Sequence, residues 1–372
     1  MRAIQSGRLP LSETAVRHID LCLGCRACES ACPSGVQYGD LLEHTRDHIE
    51  GNYRRSFFQR LLRRVVIEKI FPHATRMKLA LIPARIIRWL GADRLLPKFA
   101  GDALSLMPSN PTEATLPEMV RAAQPSRGRV GFVRGCVMNV LFGETHQSSI
   151  WLLNRAGYDV VTPREQVCCG ALFAHGGNLA AAREYARRNI AVFEKLEVEA
   201  IIINAAGCGS TLKDYGHLLD ADPEWAARAR NFSNKVKDLT EWLPLIPKQE
   251  GRGTSDGGKV TYHDACHLAH PQRITRQPRE LLKSLVGEAM VEMPESDVCC
   301  GSAGSYNLTE PAMAERLQDR KIGNILKTGA RTVVTTNPGC ILQIRAGLRK
   351  AGLNHIEVVH LADYIASRLR DS

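Results

Sequence analysis

Eight of the twelve cysteines in this 372-residue chain form two sets at a nearly constant offset. Cys136, the adjacent pair Cys168 and Cys169, and Cys208 are followed by Cys266, the pair Cys299 and Cys300, and Cys340. Matching landmarks lie 130, 131 and 132 residues apart. The surrounding segments keep the same order. A β-like run at Val130–Val133 precedes Cys136, and Val260–His263 precedes Cys266. Each Cys-Cys pair is followed by glycine, Gly170 or Gly301. A helical pattern comes next (Leu179–Phe193, Ala312–Leu326), then an apolar run (Ala200–Ile203, Thr332–Thr335). Asn204-Ala-Ala-Gly-Cys208 then answers Asn337-Pro-Gly-Cys340, and Asp238–Trp242 answers His360–Tyr364. The chain is therefore an internal duplication joined by the glycine-rich stretch 251–258. Strands alternating with helices predict an α/β unit with a mainly parallel sheet in each half.

In such sheets ligands collect beyond the carboxyl ends of the strands. The cysteines follow the expected strands, so thiols distant in sequence should meet there. Four thiols per half match an iron–sulfur cluster or a structural zinc ion. Adjacent cysteines diverge and suit a group with several irons better than one ion. Gly170 and Gly301, and likewise Gly207 and Gly339, are expected to supply positive φ and close backbone approach. A single zinc per half and buried unliganded thiols stay open as alternatives. His263, His267 and His270 surround Cys266 and are expected in ordinary polar roles, as are His146 and His175.

The other four cysteines stand in Cys22-Leu-Gly-Cys25-Arg-Ala-Cys28-Glu-Ser-Ala-Cys32-Pro33. The pattern C-x2-C-x2-C-x3-C-P is that of bacterial iron–sulfur ligation. A zinc site usually uses two separated pairs, and a redox dithiol needs one C-x-x-C. A 4Fe-4S cluster held by Cys22, Cys25, Cys28 and Cys32 is the expectation here. Helices are expected before the loop, with Ala15, Val16 and Ile19 on one side. Another should follow over Tyr38–Glu50, with Leu41, Leu42 and Ile49 apolar.

The formal net charge is +10, and twelve Lys and Arg against Glu68 and Asp93 place that excess between Arg54 and Lys98. A nucleic-acid binder with interleaved stacking aromatics would look different. Phe57, Phe58, Leu61, Leu62, Val65, Val66 and Ile70 recur at near-helical spacing, and Pro72, Pro83 and Pro97 should divide the region into short helices. Such basic amphipathic helices suit a partner protein, an anionic membrane surface, or packing on their own domain. The stretch 101–127, with Pro108, Pro111, Pro117 and Pro125, reads as a linker. Met1 to Asp20 has no apolar h-region and no small-residue cleavage site, and no run approaches roughly 18–20 apolar residues. Reduced thiols and a cytoplasmic location, peripheral on the inner membrane face at most, are expected. The fold class is thus α+β multidomain. A ferredoxin-type segment (1–52) and a basic helical region with linker (53–127) precede two Cys-Cys-Gly repeat domains (128–250 and 259–372).

No G-x-G-x-x-G following a strand and no Walker loop is found. Iron–sulfur ligation without an evident organic cofactor points to a conductor of electrons. At these motifs the chain resembles the iron–sulfur subunits of glycolate oxidase, within the wider Cys-Cys-Gly family of heterodisulfide reductase, glycerol-3-phosphate dehydrogenase and lactate-utilisation subunits. The run Cys22 to Tyr38, ending Pro-Ser-Gly-Val-Gln-Tyr, is the more discriminating part. The resemblance implies electron transfer from a partner flavoprotein, with FAD on the partner only, which oxidises glycolate to glyoxylate. Electrons would pass on to an acceptor such as quinone. It implies iron–sulfur groups in the repeats and no catalytic side chain on this chain.

There are two departures from the wider family. A fifth thiol is absent from each repeat, where Thr211 and Gln343 stand, as in the glycolate subunits. The family carries two tandem C-x2-C-x2-C-x3-C-P motifs and this chain one. Cys22, Cys25 and Cys28 are then expected on one cluster. Cys32 either completes it or serves a second cluster whose motif lies upstream of Met1. A truncated reading frame is the expected cause.

Overall fold

The computed structural model describes residues 1–91, 101, 104, 115–123, 125–245 and 258–370. Each half of the duplication builds one sheet. In the first, β2 (Gly128–Phe132), β3 (Tyr158–Val161), β4 (Ala200–Ile203) and β5 (Val236–Asp238) are parallel. They lie in the order β3-β2-β4-β5. In the second, β6 (Val260–Tyr262), β7 (Met290–Val291), β8 (Thr332–Thr335) and β9 (Glu357–His360) repeat it as β7-β6-β8-β9, all parallel. The duplication is therefore one of topology as well as of sequence.

Local sequence accounts for the elements. Ala200–Ile203 is apolar on both faces because β4 is central and wholly buried. The helix Leu179–Phe193 starts where Asn178 Oδ1 accepts from Ala181 N (3.1 Å), a cap worth about 1 kcal/mol. It lays Ala186, Ile190 and Phe193 on the sheet. Its counterpart Pro311–Thr328 opens on proline and closes on Gly329 at φ +64°. The halves meet at their carboxyl edges. His360 Nε2 donates to the Asn204 carbonyl (2.8 Å), and Ala206 N donates to that of Thr336 (3.2 Å). Apolar cores run through both halves, one from Val133, Ile201 and Ile203 to Val333, Ile341 and Ile344, another from Val130 and Phe132 to Val260 and Tyr262.

The amino-terminal segment is helical, with helices at Glu13–Asp20 and Tyr38–Asn52. Val16, Leu42 and Ile49 are buried, whereas Leu41 faces outward. Arg55, itself buried, holds these helices together through Asp20 (2.6 and 3.0 Å) and Glu50 (2.5 Å). A guanidinium taken out of water needs such partners.

The basic region departs from its expected form. Pro72 does lie between helices, but Pro83 sits inside the helix Ala74–Trp89. A proline removes one hydrogen bond and is tolerated where neighbours support the helix, and here Met77 and Leu81 pack on the core. Pro97 lies outside the described residues. Residues Leu62–Ile70 form a π-helix, a wide turn that no propensity signals. The stretch read as linker contains β1 (Met119–Val120), which pairs antiparallel with β3 (Met119 opposite Val161). Two residues are too few for an alternating pattern to register.

Candidate functional site

The strand order reverses between β2 and β4, and between β6 and β8, and the thiols gather there. In the first repeat, Cys136 follows β2, Cys208 follows β4, and Cys168-Cys169 follow β3. Cys136 Sγ and Cys168 Sγ are 3.4 Å apart. Cys169 lies within hydrogen-bonding reach of both Cys168 and Cys208, whose thiols favour its thiolate, while sharing with Cys136 and Cys169 pushes Cys168 up. Three of the four are fully buried and Cys208 is half-buried. The Cys-Cys turn is fastened from outside. Asn189 accepts from Val167 N (2.9 Å) and donates to the Cys168 carbonyl (3.0 Å), and Tyr215 donates to that of Cys169 (2.8 Å).

The second repeat links Cys266, Cys299, Cys300 and Cys340 in the same succession. Gly301 N donates to Cys299 Sγ (3.4 Å) and Asn337 Nδ2 to Cys340 Sγ (3.5 Å). Gly301 takes φ +92° and Gly170 φ +83°, as expected. Gly207 and Gly339 do not; both sit in helix amino-terminal turns with ordinary φ. Gly339 is instead needed for space, because a Cβ there would meet Ser302 Oγ at 2.6 Å. Asn337 also joins the two sites, accepting from Gly207 N (3.3 Å), next to Cys208.

The loop Cys22–Cys32 is wedged against both repeats. His267 Nε2 donates to the Gly24 carbonyl (2.9 Å), and Ser30 bonds His270 Nδ1 (2.8 Å). Tyr306 donates to the Leu21 carbonyl (3.0 Å), and Arg26 meets Asp214 of the first repeat (2.5 Å). Burial and the nearby Cys266 and Cys22 push the Cys25 thiol up, which puts the loop's sulfurs beside the second repeat's site. Tyr38 lies within hydrogen-bonding reach of Cys22, and burial beside that thiol pushes its phenol up to about 12. Cys32 differs, since the backbone N–H groups of Val36 and Ser34 point at its sulfur and hold its pKa down. A cleft of about 640 Å³ opens beside Cys22, lined by Arg46, Arg60, Arg63, His175 and Tyr306.

The repeat thiols are thus brought together in two groups, and Cys22, Cys25 and Cys28 lie within electrostatic range of one another, whereas Cys32 is held by the N–H groups of its own turn. The donor chemistry fits inorganic iron and sulfide: clustered thiols and backbone and amide N–H groups aimed at sulfur. Burial of both repeat sites also disfavours free thiolates unless something cationic sits among them. His267 and His270 serve ordinary polar roles, as expected, by holding the loop. His146 does so too, donating to the Arg134 carbonyl (2.8 Å), as does His175 with Glu43 (2.8 Å). Reading the sequence missed Asn189, Tyr215 and the buried Lys321, whose Nζ bonds the Glu295 and Ser296 carbonyls (2.6 and 3.2 Å). None of these carries a spacing signal, because each acts across elements; Asn337 and Tyr38 stand in the quoted motifs, and the structure gives them their roles.

The cysteine-rich domain (CCG) profile matches residues 130–213 and 260–345, which contain all eight repeat cysteines. The probable glycolate oxidase iron-sulfur subunit of Bacillus subtilis (strain 168) is 40% identical over 98% of this chain and 85% of its own length. This chain belongs to the glycolate oxidase iron–sulfur subunit family. The glycolate oxidase iron-sulfur subunit of Escherichia coli (strain K12) is 32% identical over 93% of this chain and 82% of its own. Lactate utilization protein A of Geobacillus kaustophilus is 29% identical over 63% of this chain and 96% of its own length.

Proposed function

We propose that this chain is the iron–sulfur electron-transfer subunit of a flavin-linked 2-hydroxy-acid dehydrogenase, with glycolate as the substrate of the assembled complex. The observation that carries the proposal is the wedging of the Cys22–Cys32 loop against the repeats, with Cys25 beside Cys266 and Asn337 bridging to the first repeat. Three sulfur-rich sites in contact through a few residues suit a relay of single electrons better than an isolated structural ion.

In this reading Cys22, Cys25, Cys28 and Cys32 hold a 4Fe-4S cluster, and the eight repeat thiols hold further iron–sulfur groups. When bound, these groups supply one-electron transfer. The protein's part is positional. Asn189, Tyr215 and Asn337 fix the turns that carry the thiols, and N–H groups aimed at sulfur stabilise the more negative, reduced form. The flavin and the substrate's hydride chemistry belong to the partner. Its docking face is the outer side of the helices at 57–89, where Phe57, Phe58, Leu79 and Trp89 are exposed among arginines. The segment divisions at 52, 127 and 250 are part of the same proposal.

The test is anaerobic co-purification with neighbouring gene products, followed by EPR after adding glycolate or D-lactate. Reduction of iron–sulfur signals by glycolate, only when a flavoprotein is present, is expected. Material without iron and acid-labile sulfide overturns the proposal. So does turnover of a disulfide by this chain alone with reduced viologen.

A further inference from the structure

The two repeats share their thiols but not what surrounds them. His263 directly follows β6, three residues before Cys266, as Val133 directly follows β2, three residues before Cys136. The backbone confirms the match: Val133 N donates to the Ile202 carbonyl and His263 N to that of Val334, both at 2.9 Å. The first repeat therefore has an isopropyl group where the second has an imidazole. That imidazole is fully buried, and neither ring nitrogen has a well-formed hydrogen bond. The Ser296 carbonyl beside it is already taken by Asp264 N (3.2 Å) and Lys321 Nζ (3.2 Å). A donor atom of His263, Cys300 Sγ and Cys340 Sγ all lie within 4.8 Å of one another.

The buried lysine falls in the same pattern. Gly170 approaches Ala182 as Gly301 approaches Ala314, which aligns Lys321 with Asn189. A neutral amide braces the Cys-Cys turn in the first repeat, whereas in the second a lysine holds the Glu295 and Ser296 carbonyls ahead of that turn, within electrostatic range of Cys299, Cys300 and Cys340.

We propose that the second repeat binds its metal through a mixed donor set, with His263 adding an imidazole nitrogen to Cys266, Cys299, Cys300 and Cys340. The first repeat binds through sulfur alone. This rests on the iron–sulfur reading above. It makes the two centres unequal in their donor sets, and the Lys321 side chain, which the first repeat lacks, favours the reduced form of the second. Electrons then favour the second repeat, which the Cys22–Cys32 loop touches through Gly24 and Ser30.

The experiment uses the full chain, reconstituted anaerobically with iron and sulfide and grown with 15N-histidine. Pulsed EPR is recorded across a reductive titration. A directly bonded histidine nitrogen should couple to one signal in the wild type. His263→Ala should lose as much iron as Cys340→Ser does. His263→Cys, which offers a thiolate instead, should keep the iron, lose the nitrogen coupling and lower that centre's midpoint. Full iron and sulfide in His263→Ala, or no histidine-nitrogen coupling in any wild-type signal, overturns the proposal. A wild-type chain that binds no iron at all instead ends the electron-transfer reading on which it stands.

Discussion

Asp238 illustrates how a single side chain carries two opposing demands. It caps the helix Leu239–Trp242, with Oδ1 accepting from Thr240 N (2.9 Å) and Oγ1 (2.6 Å), while Oδ2 is buried without a partner. Burial raises its carboxyl from 3.8 to about 6. Between those values the folded chain holds more protons at this site than the unfolded chain. Asp238's contribution to stability therefore falls as pH rises through that window. Asp238→Asn keeps the cap and removes the buried charge. It should stabilise the fold by about 2 kcal/mol at pH 7, the gain vanishing below about pH 4. Denaturant titration of both proteins at the two pH values measures this, and an equal gain at both would refute burial as the cause. His146, pushed down to about 4 by burial, acts with the opposite sign and stabilises above 6.5, but it contributes equally to both proteins and cancels.

At the scale of elements, the contact that matters is the one between the helix Tyr38–Asn52 and the first repeat. Gly177 ends the short helix Ala171–Gly176 at φ +82°, and a Cβ there would stand 2.5 Å from the Arg46 carbonyl carbon. Arg46 in turn donates to the carbonyls of His175 (2.9 Å) and Cys22 (2.6 Å). Gly177→Ala should cost about 1–3 kcal/mol locally and lift this helix from the repeat. Hydrogen exchange would show residues 42–52 exchanging roughly tenfold faster while β4 stays protected. Uniform loss of protection in both would mean that the segment and the repeat unfold as one unit. The helix was legible from its apolar spacing, whereas its seat on the repeat was not, because a glycine's neighbour across space leaves no trace in its own segment.

For the whole molecule, the distribution of charge and apolar surface points outward from the thiol sites. No described helix is long and apolar enough to cross a membrane. The inner face of the 57–89 region is held by Ile67 and Met77, and the outer face leaves Phe58 79% and Trp89 84% exposed. Large aromatics in a basic surround are what interface hot spots are made of. Phe57→Asp with Phe58→Asp should weaken association with the flavoprotein about tenfold or more without changing iron content or thermal stability. Pull-down and sedimentation measure the first, metal analysis and calorimetry the others. Unchanged association together with lost binding to anionic vesicles would assign the face to a membrane surface instead.

The sequence by itself determined the duplication, the alternation of strand and helix, and the thiols' places after strands. The helix Leu179–Phe193 and the strands Ala200–Ile203 and Thr332–Thr335 lie where their patterns put them. These features are periodic or local, so each residue's neighbours along the chain carry the information. Tertiary structure decided which side chains surround the sulfurs. Asn189 reaches its Cys-Cys turn from a helix some twenty residues on, Asn337 spans two repeats, and Lys321 and His263 break the symmetry that the cysteines keep. Their roles come from burial and from distances across the switch point. Those exist only once both sheets have closed on a common core, because only then is water excluded and a lone polar atom forced to find its partner.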